Sequence, residues 1–508
     1  MSVKAYDKVF DKHRGMNDLS SLKRIKDDEL NEIINFKYIP AAENKVELHM
    51  REGTVKDTMT TALTGATAVG GIVNSDYTGG NETLFHHDEF LYVLDTTPLK
   101  VMSGVTDAIH SFAMLEDNVI IANGTDVLLE KAYGTVPTAV GDTPPVAKYL
   151  HTWHNFVWAA GVTTALSTIY HCKLNDKDIW TDTGSGNQTL QHGTITGIHG
   201  LFDNLYAFFE RNITKITGYA AGAFVYSDYA TIGCISHYGI VSDGTTLYWP
   251  AHDGFYALGA LGATDKVVGG ISLIKLSQEK LRTFWDTLDT STIGIIRGVN
   301  DPANHCVRWS VRRTGQSVND REVVFDYHEH VMGFYITEGR SPNCYALGKD
   351  TIGNWQVKYG NADTGMVYKL DPDTTDDDGT AIAGSFKTKA YDFQRPDLDK
   401  KWNTVDVLAK SDQSQTVTTM HYGVGDFPDY DNEKEITTQN LIQYDTGLQY
   451  DDGNYYTEGT FRNYKIAIRK FGKSLALKFV CNILDKLVQI AGWTINAQVF
   501  NKKVKSDV

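Results

Sequence analysis

Cysteine is scarce and scattered in this chain: Cys172, Cys234, Cys306, Cys344 and Cys481 form no Cys-x-x-Cys pair. An odd, dispersed set supplies neither a disulfide framework nor a four-thiolate zinc centre, and it reads as buried thiols in a reducing compartment. Long hydrophobic runs are missing as well. Nowhere does the chain hold the ~18 consecutive apolar residues of a membrane-crossing helix, and the opening MSVKAYDKVFDKHRG lacks the apolar stretch of a signal peptide. These absences predict a soluble protein made in a cytoplasm, with no membrane insertion. Basic residues are outnumbered, 48 Lys and Arg against 63 Asp and Glu, for a formal net charge of −15. A nucleic-acid grip needs cations to displace counterions from phosphate, so the balance argues against DNA binding as the main purpose. An acidic surface would still suit a path through which DNA slides without sticking.

Signatures of catalysis are equally thin. The chain has no GxSxG elbow, no Gly-rich phosphate loop with its Lys, and no HExxH. Of the close histidine pairs, His86-His87, His151 with His154, and His328 with His330, only the last has the alternate spacing that places two side chains on one strand face. No cysteine lies near it in sequence. Ser242-Asp243-Gly244-Thr245 imitates a sialidase Asp-box turn once, without repetition. The Asp-rich run from Asp371 to Gly379 invites a calcium loop. Yet setting Gly379 at the obligatory glycine puts Thr374 at the first ligand and Ser385 where a bidentate Glu belongs. The expectation is no catalytic residue, no cofactor, no metal site, and no enzyme.

Aromatic and turn-forming residues are abundant, with 27 Tyr, 21 Phe and 45 Gly, as a β-rich chain with many tight turns requires. The stretch from Thr194 to Leu258 shows one small unit twice. Leu205 to Phe209 follow an Asp203-Asn204 turn, and Arg211-Asn212 leads into Ile213 to Ile216. Leu247 to Trp249 follow Asp243-Gly244, and Asp253-Gly254 leads into Phe255 to Leu258. Asp-Gly and Asn between aromatic runs mark hairpins, because they accept the positive φ of tight connections. A small antiparallel sheet that recurs cannot bury both faces alone and must stack on its neighbours, which predicts a β-propeller.

In chain order, residues 1–45 read as an N-terminal arm with a short helix, Leu30, Ile33 and Ile34 falling at helical spacing. Residues 46–370 read as the propeller, with about seven blades and six to eight compatible with the pattern. Leu276, Leu281, Phe284 and Trp285 predict an inserted helix near 276–288. Residues 371–384 read as an acidic linker. Residues 385–508 carry short strands without blade spacing and predict a β-sandwich, with a polar tail from Lys502 to Val508. Trp153, Trp158, Trp180 and Trp249 would make a stacking platform for sugars or bases, but packing between blades explains them more cheaply.

The order of parts resembles the propeller-type tail proteins of short-tailed bacteriophages, the hub or nozzle subunits and related head-to-tail connectors. The resemblance is carried by Gly15-Met16-Asn17 with Leu30 and Asn35-Phe36, by Gly197 with Leu205-Tyr206 to Ile216-Thr217-Gly218, and by Gly233-Cys234-Ile235-Ser236 with Asp253-Gly254-Phe255-Tyr256. It continues through Leu276 to Leu288, Trp309-Ser310 with Val324-Phe325-Asp326-Tyr327, Lys387-Thr388-Lys389 and Lys473-Ser474-Leu475-Ala476-Leu477. Cys306 and Arg308 on one strand, and the Asp-rich linker, depart from the pattern. The resemblance implies a structural virion protein, assembled in the bacterial host cytoplasm as a homo-oligomeric ring of about six copies. A portal or adaptor protein would lie on one side and other tail proteins or fibres on the other. Double-stranded DNA would pass through transiently during ejection, and acids would dominate the lumen. A ligand- or glycan-binding propeller is the alternative.

Overall fold

The computed structural model describes residues 3–18, 22–41, 45–64, 68–259, 272–278, 280–289, 291, 294–350, 352–411, 416–426, 428–438, 461–482 and 488–500. Their order begins with five strands, β1 (Val3–Phe10), β2 (Leu30–Ile34), β3 (Phe36–Pro40), β4 (Val46–Met50) and β5 (Gly53–Lys56). Antiparallel four-stranded sheets then follow one another. Blade 1 runs from Val69–Tyr77 to Leu99–Ser103, blade 2 from Ser111–Leu115 to Thr138–Ala139, and blade 3 from Tyr149–Trp153 to Gly186–Thr189. Blade 4 runs from Ile195–Leu201 to Val225–Ala230, blade 5 from Val241–Ser242 to Ser272–Lys275, and blade 6 from Arg297–Asp301 to Gly333–Glu338. Pro342–Lys349, Trp355–Asn361 and Val367–Asp371 make three strands of blade 7, and β5 supplies the fourth. Seven blades are therefore present among the described residues. The repeated unit of the sequence corresponds to blades 4 and 5.

Local chemistry explains the hairpins. Glu116 and Asp117 have φ of 52° and 62°, and His154 and Asn155 have 49° and 59°. Two successive residues at positive φ are the signature of the turn whose twist matches that of the flanking strands. The second strand of a blade is covered on both faces by its neighbours, so Phe156–Ala160, Thr246–Ala251 and Cys306–Val311 are buried along their whole length. Trp153, Trp158, Trp180 and Trp249 are all buried in this packing, as expected of blade core. All five cysteines are free and buried.

The sandwich is woven from both ends of the chain. One of its sheets has the order β3, β4, Val488–Phe500, Lys400–Ser411, Arg462–Gly472, with β1 also paired along Val488–Phe500. The other continues blade 6 without a break. Gly333–Glu338 adjoins β2, and β2 is followed by Ala383–Thr388, Ser474–Asn482, Thr416–Gly425 and Asn432–Thr438 in one nine-stranded sheet. A single hydrophobic core accordingly runs from Trp309 and Phe334 of blade 6 through Phe36 and Phe386 to Phe479 and Trp493.

Three expectations need correction. The helix expected in the arm is the strand β2 instead. Its Leu30, Ile33 and Ile34 pair with Thr388, Phe386 and Ser385, and a bulge between Leu30 and Glu32 puts both Leu30 and Ile33 in the core. The vacancy between two sheets overrides a weak helical pattern. The inserted helix shrinks to the single turn Arg282–Trp285, followed by a loop. The acidic linker is not a free connection: Asp376–Asp377 pairs with β5 and with Thr380–Ala381, extending blade 7. The tail from Lys502 to Val508 lies outside the described residues.

Glycine fixes how the arm meets the propeller. Gly15, at φ +100°, crosses Gly333 so closely that a Cβ on Gly333 would lie 2.5 Å from the Gly15 Cα. The crossing lets Met16 donate its amide to the Phe334 carbonyl at 3.0 Å, while the Gly15 carbonyl accepts from Leu30 at 3.1 Å. Only two residues without side chains permit that approach.

Candidate functional site

Because each blade begins with its innermost strand, the residues that start successive blades meet on the propeller axis. There they line a cavity of about 330 Å³ whose wall is drawn from blades 1 to 4, 6 and 7 and, ahead of blade 5, from the short turn His237–Gly239 and Ile240. The polar groups of that wall are dominated by imidazole. His110 precedes blade 2, His151 stands on the first strand of blade 3, His199 on that of blade 4, and His237 just before blade 5. Arg297 opens blade 6.

The imidazoles are held in defined tautomers. His151 Nε2 accepts the Gly200 amide at 2.9 Å, so its proton sits on Nδ1. His199 Nδ1 donates to the Gly200 carbonyl at 2.8 Å and His110 Nδ1 to the Ala108 carbonyl at 2.9 Å. His237 Nδ1 accepts the Ile198 amide at 3.4 Å, which leaves a proton on Nε2 facing Ser111 Oγ at 3.3 Å. Rings also touch between blades, His151 and His199 with centroids 4.2 Å apart and His86 and His110 4.0 Å apart. Burial disfavours the charged imidazolium, and neighbouring imidazoles add to the effect. Burial lowers His110 and His199 to about 4, while burial together with neighbouring imidazoles lowers His86 and His237 to about 3 and His151 well below its ordinary value. At neutral pH the axis carries neutral rings. Its fixed charge is Arg297, pushed down to about 10 by burial.

A second polar cluster sits where β4 and β5 pass blades 6 and 7. Arg51 pairs with Asp377, Arg308 with both Glu52 and Asp301, Arg340 with Glu322 and Asp377, and Lys37 with Glu52. Tyr345 and Thr337 each donate to Glu322 at 2.7 Å. Burial alone would raise the Glu52 carboxyl, but Lys37, Arg308 and Arg340 hold it well below its ordinary value. Each charged side chain here has an opposite partner, although Arg308 Nη1 finds no acceptor among the described residues. The cluster is a junction that ties the propeller's closing strand to the sandwich, and the aspartate that the sequence placed in a linker is part of it.

Of the pairs singled out in the sequence, His151 and His154 separate in space while His328 and His330 stay together. His151 faces the axis, whereas His154 lies on a hairpin tip and stacks on Tyr219 with centroids 4.6 Å apart. His328 and His330 sit in the loop before Gly333–Glu338, with ring centroids 5.5 Å apart. Among the described residues no three His, Cys, Asp or Glu side chains come together as a metal site. Asp243, in the Asp-box-like turn, accepts the amides of Thr245 and Thr246 at 2.7 Å each and so closes its own hairpin. Sequence reasoning missed the axial set. The available signal was one histidine near the start of each of four successive units, at about one blade's spacing.

No protein-family model and no curated protein matches the sequence. Solved structures are similar over part of the chain. YCF48 from Cyanidioschyzon merolae is 11% identical, with a TM-score of 0.39 over 63% of this chain and 99% of that one. The N-terminal domain of Nup159 is 8% identical, with a TM-score of 0.40 over 66% of this chain and 98% of that one. BamB from Moraxella catarrhalis is 11% identical, with a TM-score of 0.37 over 73% of this chain and 98% of that one. This protein is a seven-bladed β-propeller joined to a β-sandwich.

Proposed function

We propose that this chain is a structural subunit of a bacteriophage tail hub or nozzle, one of about six copies in a ring below the portal or its adaptor, through which the genome leaves. The family resemblance of its motifs suggests the role. The observation that supports it best is the nine-stranded sheet that runs from blade 6 through β2 into the sandwich. The Ile34–Ile336 pair and a shared core couple blade 6 to the sandwich there, and a subunit that bears load around a pressurised channel benefits from such coupling. Ring closure would use heterologous contacts related by rotation. Native mass measurement of the purified full-length protein with electron-microscopic class averages tests the proposal. A ring of about six subunits with an open centre is expected, either alone or after a portal complex is added. A protein that remains monomeric in both conditions overturns it.

The second reading, a ligand-binding propeller, is favoured by the axial cavity with its buried arginine. It does not require a ring.

A further inference from the structure

The chain carries a formal charge of −15, yet none of the residues lining the axial cavity is Asp or Glu. Arg297 reaches it with only 4% of its surface exposed. Its Nε donates to the Asn343 carbonyl at 3.1 Å and its Nη1 to the Ile296 carbonyl at 3.3 Å, while Nη2 has no acceptor among the described residues. Among the described residues the only ring it stacks on is Tyr238, whose centroid is 4.9 Å from the guanidinium carbon. Every other buried arginine of the chain, Arg51, Arg308 and Arg340, has a carboxylate partner. A second cation, Lys148, is lowered from its ordinary value by burial and by the charge of Arg297, and no carboxylate answers it among the described residues. Burying a cation without a counter-charge is costly, and proteins that retain one commonly complete it with a ligand.

We propose that the propeller axis binds a small oxyanion, held by the free Nη2 of Arg297 together with the Nε2 proton of His237 and the Ser111 hydroxyl. All three groups line the same cavity; His237 Nε2 faces Ser111 Oγ at 3.3 Å, and Ser111 Oγ accepts the Leu150 amide at 3.0 Å and donates to the Leu150 carbonyl at 3.5 Å, so the ion draws the His237 and Ser111 protons from these long contacts. The cavity's volume of about 330 Å³ equals about ten waters at about 30 Å³ each, enough for a phosphate- or sulfate-sized ion with part of its hydration. With Nε and one N–H of Nη1 committed to carbonyls, the Nε–Nη2 edge that makes the usual fork is incomplete, and the two N–H groups of Nη2 are left to meet the ion. Recognition therefore follows charge more than planar shape, and a dianion is preferred to a monoanion. The histidines add to this without a fixed charge: Nε2 of His199 and of His110 carry lone pairs and become donors if an arriving anion draws protons onto them. The site is independent of the tail proposal, since each group belongs to one chain.

Calorimetric titration of the full-length protein with inorganic phosphate, sulfate and acetate at constant ionic strength tests the inference. Saturable binding of one ion per chain is expected, at least tenfold tighter for phosphate or sulfate than for acetate, and at least tenfold weaker in Arg297→Gln. Acetate binding tighter than either dianion would refute the charge-based selectivity, and affinity unchanged in Arg297→Gln would refute the site. If that variant does not fold, crystals of the unaltered protein soaked in selenate decide the matter. An anomalous peak within hydrogen-bond distance of Arg297 supports the site, and its absence from the axis overturns it.

Discussion

At the scale of the residue, charge is distributed by burial more than by composition. Five buried histidines, His13, His86, His110, His199 and His237, are lowered to about 3 or 4. In the unfolded chain they titrate near 6.5. Between those values the unfolded state binds more protons than the folded one, so stability is full above about 6.5 and is lost as pH falls towards 3 to 4. Asp326, raised to about 7 by burial, acts in the opposite sense, gaining stability as pH falls from about 7 towards 4. Five groups outweigh one. The melting temperature is therefore expected to drop steadily between pH 7 and pH 4, and scanning calorimetry across that range checks it. Glu52 offers a sharper test. It answers Arg308, whose Nη1 already lacks an acceptor in the core. Glu52→Ala leaves that guanidinium facing a void, and equilibrium denaturation should show a loss of about 3–5 kcal/mol.

At the scale of the element, the arm works as sheet rather than as a detachable tail. Phe10, Ile33, Phe36 and Leu48 are buried within the same chain, so its apolar stripe is already covered. Removing residues 1–45 should cost cooperative folding, seen as loss of a sharp melting transition. A truncated protein that melts like the full chain would instead mark the arm as free to dock on a partner. A milder probe is Gly333→Ala, which sets a methyl group against the Gly15 backbone; a lower melting temperature with an intact propeller spectrum is expected. Much of the propeller was legible because a hairpin is local: Asp88, Asn155 and Gly244 announce their turns within a few residues. What joins distant segments was not. β2 resembles a helix when only its own spacing is considered, and the aspartates before Gly379 resemble a linker until Arg51 and Arg340 are in place. The axial site was hidden for the same reason, since His151, His199, His237 and Arg297 acquire a common meaning only when the ring closes.

At the scale of the whole molecule, closure takes place at two points, and both use the N-terminus. β5 completes blade 7 against Val367–Asp371, and β1 lies along Val488–Phe500. The propeller, the sandwich and the nine-stranded sheet between them are thus predicted to unfold as one unit, with a single calorimetric transition in place of two. A pair of separable transitions would show that the shared sheet does not couple the domains. The same stitching constrains biosynthesis. β5 and β1 each have a partner far downstream, so the propeller cannot close until Val367–Asp371 has emerged from the ribosome, nor the sandwich until Val488–Phe500 has. Until then blade edges and the cores beneath them stay open to wrong partners. Translation speed and chaperone supply, rather than final stability, should therefore limit how much of this protein a cell can make.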